Sequence, residues 1–325
     1  MQAPPFDEVR RQCAAAIESA ELRDVASALA RAGVDEAQGH RFVAEISEHD
    51  ARVRDRLVAV RSAIGSAAGS LERLLLLRSA VQALDRVPQL PVSEDVKRLF
   101  CESFHYMAAP PDGVTFNAAR DSFVALCKVA SLRRFPAGQY HWEISGLPRS
   151  WVLKVSGRDR LTLMWWIATK LKGFAPICFI HLNAHRKNRF VLTERESERS
   201  YFRVAQALAL QPHLKGLVTS SWLNSPDTFA ISPHLAWINR TFVENGGFVA
   251  TMGPAEPDCG VLARSPERTQ AYQAGTFTPT LGLVVWPREA MLAWAAAHPE
   301  LGHKPARVLR ARKEIALDAV AGHAR

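Results

Sequence analysis

Polar side chains that could bind a metal or transfer a proton alternate with apolar ones in the segment 179–185 (Phe-Ile-His-Leu-Asn-Ala-His). In a strand this alternation places three of them on one face: His181, Asn183 and His185. His141 and Glu143 share a face of an earlier predicted strand. Imidazole groups bind metals or shuttle protons, which supports the hypothesis of a metal-dependent enzyme. A polar strand end that emerges into solvent explains the same residues, and because the ligand spacing matches no recognised motif, we expect no metal.

A charged segment at 193–200 (Thr-Glu-Arg-Glu-Ser-Glu-Arg-Ser) precedes a predicted helix. Free amide groups and the helix dipole favour an anion at such a position. We therefore predict that Arg195, Arg199 and Ser200 bind the phosphate of a cofactor. Further basic residues surround the segment: Arg186, Lys187, Arg189 and Arg203. The interleaved glutamates partly cancel this charge, so a salt-bridged surface is an equal alternative.

A second polar group follows the next predicted strand, at Ser220, Ser221 and Asn224, and Ser232 and His234 open the helix after it. Ligands in open α/β sheets usually bind at the carboxyl ends of strands. We predict that Ser221, Asn224 and His234 are catalytic, orienting a nucleophile or stabilising an oxyanion. Ser232 followed by Pro233 also suits a helix N-cap, and no acidic partner for a Ser and His pair stands nearby.

Composition narrows the class of protein. The chain has 325 residues, of which 48% are hydrophobic, and a formal net charge of +9. It contains no glycine-rich nucleotide loop of the usual spacings, no HExxH and no GxSxG elbow. The excess of basic residues favours an anionic small molecule, an acidic carrier protein or, less strongly, nucleic acid as the partner. Five scattered cysteines with no CxxC pair predict reduced, buried thiols.

No segment has the pattern of a membrane span or a secretory signal. The N-terminal residues lack a basic start and an apolar stretch, and the uncharged apolar segment 174–184 is too short to cross a bilayer. We therefore expect a cytoplasmic protein without a transmembrane helix. Tryptophans are frequent after residue 140, and Trp222, Trp237 and Phe242 could line a pocket for an acyl chain or fill the core.

Patterning predicts an α/β fold, a mixed sheet with helices on both faces, preceded by an all-helical N-terminal region. We assign 1–87 to the helical region, with the boundary at the prolines of 86–93, then 94–300 to the α/β domain and 301–325 to a basic tail. Helices are also predicted at 94–107 and 117–129. Beyond Gly138 the predicted strands are 139–145 and 151–155, forming a hairpin, and then 174–185, 216–222, 248–252 and 279–286. The predicted helices between and after them are 159–172, 198–210, 232–244, 265–274 and 288–297.

From Phe174 to Met252 the order of elements is strand, charged loop, helix, strand, polar loop, helix ending in Asn-Gly-Gly-Phe at 245–248, and strand. This order resembles the acyl-CoA-binding half of the GNAT superfamily of N-acetyltransferases. The resemblance implies that the loop at 196–200 cradles the pyrophosphate of CoA and that 201–210 is the matching helix. The family's glycine-containing loop is absent here, and Phe242 stands where the family usually has a tyrosine.

The leading hypothesis is an acyltransferase that moves an acyl group from a CoA or carrier-protein thioester to an amine. The alternatives are a metal-dependent enzyme that uses His181 and His185, and a non-catalytic adaptor or nucleic-acid-binding protein. Three structural expectations follow. Residues before Pro88 form helices and the sheet begins after Gly138, the strand at 174–185 is central, and the functional cleft lies between the strand ends near His185 and Trp222.

Overall fold

The computed structural model describes residues 4–48, 51–65, 69–118, 120–155, 157–183, 192–256, 260–262 and 265–302. The chain divides into two compact units, Met1–Pro136 (unit 1) and Ala137–Arg325 (unit 2). Within the described residues, no helix is long and apolar enough to cross a membrane.

Unit 1 consists of helices around one central helix, followed by a short strand. Its elements are α1 (Phe6–Ile17), α2 (Ala20–Arg31), α3 (Glu36–Ile46), α4 (Ala51–Ala63), α5 (Ser70–Arg86), α6 (Glu94–Ala108), α7 (Asp121–Ala130) and β1 (Arg134–Pro136). Helix α5 contacts α1, α2, α3, α6 and α7, so leucines on most of its sides are buried. At the start of α3, Asp35 accepts a hydrogen bond from the amide of Gln38, whose side chain accepts one from the amide of Asp35, a capping box that fixes the helix start.

The described residues before Pro88 contain helices and no strand, as predicted. The boundary between the units, however, lies at Pro136 and not at 86–93. Helix α6 buries Phe100 and Phe104 completely and contacts α1 and α5, because its apolar face has its partners among the N-terminal helices. The expectation that the sheet begins after Gly138 is wrong by one short strand, since β1 starts at Arg134.

Unit 2 alternates strands and helices. Its elements are β2 (Tyr140–Ser145), α8 (Arg149–Lys154), α9 (Gly157–Thr169), β3 (Ile177–Leu182), α10 (Glu194–Leu210), β4 (Gly216–Ser221), α11 (Pro226–Ile231), α12 (Trp237–Glu244), β5 (Phe248–Pro254), α13 (Pro266–Gln273), β6 (Thr280–Pro287) and α14 (Arg288–Ala297). Two short 3-10 turns, Trp222–Asn224 and Pro233–Leu235, follow β4 and α11.

The sheet is mixed, with strand order β1-β2-β3-β4-β6-β5. Strands β3 and β4 are parallel, whereas β2 with β3, β4 with β6 and β5 with β6 are antiparallel. Helix α10 is the crossover that a parallel pair requires. Because β3 has a neighbour on each side, the prediction that this strand is interior is confirmed.

The predicted hairpin is wrong in its second half. Residues 151–155 lie in and just after helix α8 and not in a strand, and β2 pairs instead with β3. Pro148 stands at the N-cap of α8, and the amide of Val155 bonds to the carbonyl of Trp151, four residues earlier. This turn brings Val152 and Val155 into the main hydrophobic core, which stabilises the helix over the alternative strand.

Two clusters hold unit 2 together. Leu163 and Ile167 of α9 pack in the core with Val218 of β4 and Val285 of β6. A second, aromatic cluster joins α10, α12, β6 and α14, with ring centroids 4.9 to 6.1 Å apart, and contains Tyr201, Phe242, Trp286 and Trp294. Four cysteines, Cys13, Cys101, Cys127 and Cys178, are free and buried, as predicted, and Cys259 lies outside the described residues.

Candidate functional site

The sheet opens between its two central strands. Strands β3 and β4 are in register at Cys178 with Leu217 and at Phe179 with Val218, and no further pair of described residues is in register between them. Each strand nevertheless continues for three more residues, to Leu182 and Ser221. The carboxyl ends of this parallel pair therefore diverge, at the position where open α/β sheets usually bind ligands.

The outer edges of the same two strands stay paired along their whole length. Strand β3 is in register with β2 from Ile177 to Leu182, and β4 is in register with β6 from Gly216 to Ser221. Inside the opening, the hydroxyl of Thr219 donates to the carbonyl of Ile180 over 3.1 Å. The Thr219 side chain thus donates the hydrogen bond to the Ile180 carbonyl at the point where the backbone ladder ends. The opening therefore lies between two paired parts of the sheet, with β2 and β3 on one side and β4 and β6 on the other.

A hydrogen-bonded imidazole and carboxylate stand beside this opening. His181 of β3 and Glu143 of β2 lie on the same face, and His181 Nε2 is 2.9 Å from Glu143 Oε1. Both side chains are partly buried, with 28% of the His181 side chain and 17% of the Glu143 side chain exposed. Since an ionised carboxylate only accepts hydrogen bonds, Nε2 carries the proton when the ring is neutral, and Nδ1 is then the basic nitrogen. A carboxylate that fixes a histidine tautomer is the arrangement of a general base and its orienting group.

Ser220 lies across the opening from this pair. Phe179 and Val218 are in register, so His181 and Ser220, two residues further along each strand, lie on the same face of the sheet. The Ser220 hydroxyl donates to Met252 Sδ over 3.4 Å, a weak hydrogen bond. The face of the opening that carries His181 therefore has a basic ring on one side and a hydroxyl on the other.

The N-terminal turns of α10 pack beside the carboxyl end of β3. Tyr140, which is in register with Leu182, is 3.3 Å from Ser197 through its hydroxyl, and the Ser197 hydroxyl donates to Gln139 over 2.9 Å. Tyr201 donates to the Tyr140 hydroxyl over 3.3 Å, and burial raises the pKa of both phenols. This buried chain of hydroxyls fixes the start of α10 next to the opening.

Of the three predicted phosphate-binding residues, the structure leaves only Arg195 exposed. Helix α10 begins at Glu194, capped by Thr193, so the segment 196–200 is helix and not a loop. Arg199 is buried and donates to Glu196 over 2.8 Å. Ser200 is buried, donates to the carbonyl of Glu196 and accepts from the amide of Gln139. The implied pyrophosphate loop is therefore absent at these residues.

The three predicted catalytic residues have separate sets of neighbours. The Ser221 hydroxyl accepts from the amide of Leu223 and caps the turn that follows β4. Buried Asn224 donates to the Asn239 side chain over 3.0 Å, and Asn239 donates back to the Asn224 carbonyl over 2.8 Å. His234 is exposed on the second 3-10 turn. Ser232, at the start of this turn, accepts a hydrogen bond from Arg268 of α13, so the turn that carries His234 begins beside α13.

Two of the three residues predicted to line an acyl pocket, Phe242 and Trp222, make defined packing contacts, and the third, Trp237, begins α12 and is partly buried. Phe242 is buried in the aromatic cluster, 4.9 Å from Tyr201 and 5.3 Å from Trp286. The guanidinium carbon of Arg268 lies over the Trp222 ring, 5.0 Å from the ring centroid. Arg268 is buried and donates to the Ser232 hydroxyl over 2.8 Å, so Ser232 anchors α13 and does not cap a long helix.

Two of the residues considered as metal ligands, His181 and Glu143, are hydrogen-bonded to each other. His141 lies on the face of Glu143 and His181, as the register shows, and Asn183 donates to the Gly138 carbonyl over 3.1 Å. His185 lies outside the described residues. Among the residues that the structure describes, no group of three or more His, Cys, Asp and Glu side chains is placed to hold a metal ion.

Protein-family models, curated proteins and solved structures all gave no match. The sequence indicates His181 as a metal ligand or a proton shuttle and Glu143 as a further metal ligand, and the register of β2 with β3 brings the two side chains into contact. Period-two spacing on both strands was the signal that could have paired them.

Proposed function

We propose that unit 2 is an acyltransferase that moves an acyl group from a CoA or carrier-protein thioester to an amine. The observation that carries the proposal is the opening between β3 and β4, where the backbone ladder stops after two registered residue pairs. Both thioesters present the acyl group on a long, flexible arm that contains two amides. Such an arm can pair with open strand edges as an added strand does.

The GNAT resemblance supports the same reading. The order on which it rests, strand β3, helix α10, strand β4, helix α12 and strand β5, occurs in unit 2 with the short helix α11 inserted between β4 and α12. Val218 packs with α9, whereas Trp286, in register with Leu217, packs with aromatic rings of α10 and α12. Since neighbouring strand residues point to opposite faces, these contacts support a sheet with helices on both faces, as a GNAT-like arrangement requires.

The donor's anionic end requires basic residues near the start of α10. Arg195 is exposed in the first turn, where the helix dipole also favours a negative charge. Glu194 and Glu196 share this turn, and Glu194 forms an ion pair with Arg240. Of the three residues predicted to bind phosphate, Arg195 is therefore the one placed to contact the donor. Arg199 and Ser200 keep α10 in position.

His181 supplies the proton acceptor. The amine nitrogen attacks the thioester carbonyl carbon, so the carbon–nitrogen bond forms as the carbon–sulfur bond breaks. The proton released by the attacking nitrogen passes to His181 Nδ1, and the thiolate leaves with the donor and takes up a proton from water. Glu143 accepts the Nε2 proton of His181 over 2.9 Å and stabilises the imidazolium that results. Ser220 lies where its hydroxyl can orient the acceptor.

The test is a screen of the full-length protein against acyl-CoA donors of increasing chain length and against acyl-carrier protein, with a panel of amines. Released thiol and acylated amine are quantified by mass spectrometry, and donor binding is measured by calorimetry. We expect turnover with at least one donor class. Absence of both thioester binding and turnover across the panel would refute the proposal.

Variants then separate His181 from the other histidines. His181→Gln and Glu143→Gln should lower kcat about 100- to 10,000-fold with little change in KM, because general-base catalysis contributes on that scale. His213→Ala, an exposed histidine between α10 and β4, is the matched control and should retain full activity. If His234→Ala abolished turnover while His181→Gln did not, the site would lie near α13 and the His181 assignment would be wrong.

A further inference from the structure

A patch of exposed apolar side chains covers the outer surface of α8 and α9. Leu153 is 72% exposed, Leu161 69%, Met164 53% and Trp165 54%. We call these four residues the α8–α9 patch. Single exposed apolar residues are ordinary on protein surfaces, whereas four large ones within thirteen positions indicate an interaction site.

Helix α9 is apolar on two opposite sides. Leu163 and Ile167 are buried in the main core, and Trp166 packs against it. Leu161 and Trp165, four residues apart, lie together on the other side and are exposed. A surface helix normally has one apolar stripe that faces the core and a polar side that faces water. The outer side of α9 therefore lacks the composition of a solvent-facing surface.

Leu153 belongs to this surface because α8 is tied to α9. The guanidinium of Arg160 donates to the carbonyl of Leu153 over 3.0 Å and to the carbonyl of Val155 over 2.7 Å. These bonds satisfy carbonyls at the end of α8 with a side chain from the first turn of α9. The two helices thus present their exposed apolar residues from one connected support.

Basic residues accompany the patch. The segment 149–172 contains six basic residues, Arg149, Lys154, Arg158, Arg160, Lys170 and Lys172, and one acidic residue, Asp159. The Lys170 ammonium lies 5.7 Å from the centre of the Trp165 ring. An exposed tryptophan, aliphatic side chains and flanking lysines and arginines are the composition of helices that lie in a membrane interface.

We propose that the α8–α9 patch binds the surface of an anionic phospholipid membrane. The apolar side chains would enter the interface, and the flanking cations would contact the lipid headgroups. Charge argues against a second copy of this chain, because two such basic surfaces would repel one another. Lysines are depleted in protein interfaces, and three of the six cations here are lysines, which favours lipid over a protein partner.

Vesicle flotation of the full-length protein tests the proposal. Vesicles of phosphatidylcholine alone are compared with vesicles that contain roughly 30% phosphatidylglycerol, a level that gives the strong negative surface potential that basic residues sense. We expect at least tenfold stronger partitioning, as an order of magnitude, onto the anionic vesicles, weakened when salt is raised to about 0.5 M. Flotation measures membrane binding and does not require enzymatic activity. Its result therefore does not depend on the proposed acyltransferase function.

The decisive variant replaces Leu161, Met164 and Trp165 with serine. These side chains are exposed, so folding should be retained, which circular dichroism checks. Partitioning should fall by about 100-fold or more, since each buried side chain of this size contributes roughly a tenfold factor. The matched control is Leu210→Ser with Val243→Ser, at 54% and 56% exposure on α10 and α12, and should partition like the unsubstituted chain.

Absence of partitioning onto anionic vesicles would overturn the proposal, as would a triple variant that binds like the control. Two further outcomes would also overturn it and name another occupant. One is a dimer in sedimentation that the triple variant abolishes without any vesicle binding. The other is stable co-elution with an acidic carrier protein that the triple variant abolishes, again without vesicle binding.

Discussion

Gly282 of β6 lies directly beneath the turn that follows β4, and an added methyl group there should destabilise unit 2. Gly282 is in register with Ser221 on β4 and with Thr251 on β5. A Cβ atom at this position would lie 2.1 Å from the carbonyl oxygen of Asn224 and 2.7 Å from the amide nitrogen of Ser225. Both are backbone atoms, so no side-chain rotation can relieve the overlap.

The size of the effect follows from what must move. Carbon and oxygen approach one another to ~3.3 Å at closest, so the turn Trp222–Asn224 would have to shift by more than ~1 Å in Gly282→Ala. Overpacking of this kind costs about 1–3 kcal/mol. The shift would also weaken the two hydrogen bonds between Asn224 and Asn239, each worth about 1 kcal/mol. We expect a loss of about 3–5 kcal/mol in the free energy of unfolding of unit 2.

Urea unfolding followed by tryptophan fluorescence measures this loss in unit 2, because all eight tryptophans belong to it. The control is Gly253→Ala on β5, where an added Cβ has no neighbouring atom within 4 Å. That substitution should change stability by no more than about 1 kcal/mol. Equal midpoints for the two variants, or a loss below about 1 kcal/mol in Gly282→Ala, would show that the turn does not sit rigidly over Gly282.

Three further outcomes test the interior. Tyr140→Phe should lower the free energy of unfolding of unit 2 by about 1–2 kcal/mol more than Tyr201→Phe does. Removing the Tyr140 hydroxyl leaves the buried Tyr201 hydroxyl without its acceptor, whereas removing the Tyr201 hydroxyl leaves Tyr140 in contact with Ser197. Equal losses in urea titrations would contradict this network. Burial raises the pKa of Cys13 to about 11 and of Cys101 to about 12, so neither should be alkylated by iodoacetamide at pH 8 in the folded protein, and peptide mapping that found rapid modification would refute their burial. Burial, and after it the charge of Glu194, raises the pKa of Glu198, so the folded state prefers the protonated carboxyl. Glu198→Gln should therefore raise the urea midpoint of unfolding at pH 7, and this gain should shrink as the pH falls through the raised pKa. A gain that does not depend on pH would exclude this cause.

Local patterning predicted the elements that have one strong period. The last helix is predicted at 288–297, and α14 has those bounds: Pro287 stands at its N-cap and Pro299 follows its C-terminus. The interior position of β3 followed from apolar residues on both of its faces. Alternation of strands and helices after residue 138 sufficed to predict an α/β class, because a crossover needs a helix of this length.

Local patterning failed where a short segment fits two periods. Residues 151–155 alternate apolar and polar in part, yet they also place Trp151 and Val155 four residues apart, and packing of Val152 and Val155 in the core selected the helix. The unit boundary was misplaced for a related reason. Prolines at 88 and 91 end a helix, but they do not decide which unit α6 joins, and its buried Phe100 and Phe104 joined it to the first.

The candidate site was determined at the tertiary level. Short polar residues at strand ends serve equally well as caps, internal ties or catalytic groups, and the sequence does not distinguish these uses for Ser221 and Asn224. The partner of each side chain is set by contacts between elements far apart in the chain. His181 and Glu143 are 38 residues apart, and they meet because β2 folds back along β3 in one register. The sequence alone supplied the chemistry of both groups, while strand pairing supplied their contact and the interrupted ladder beside them.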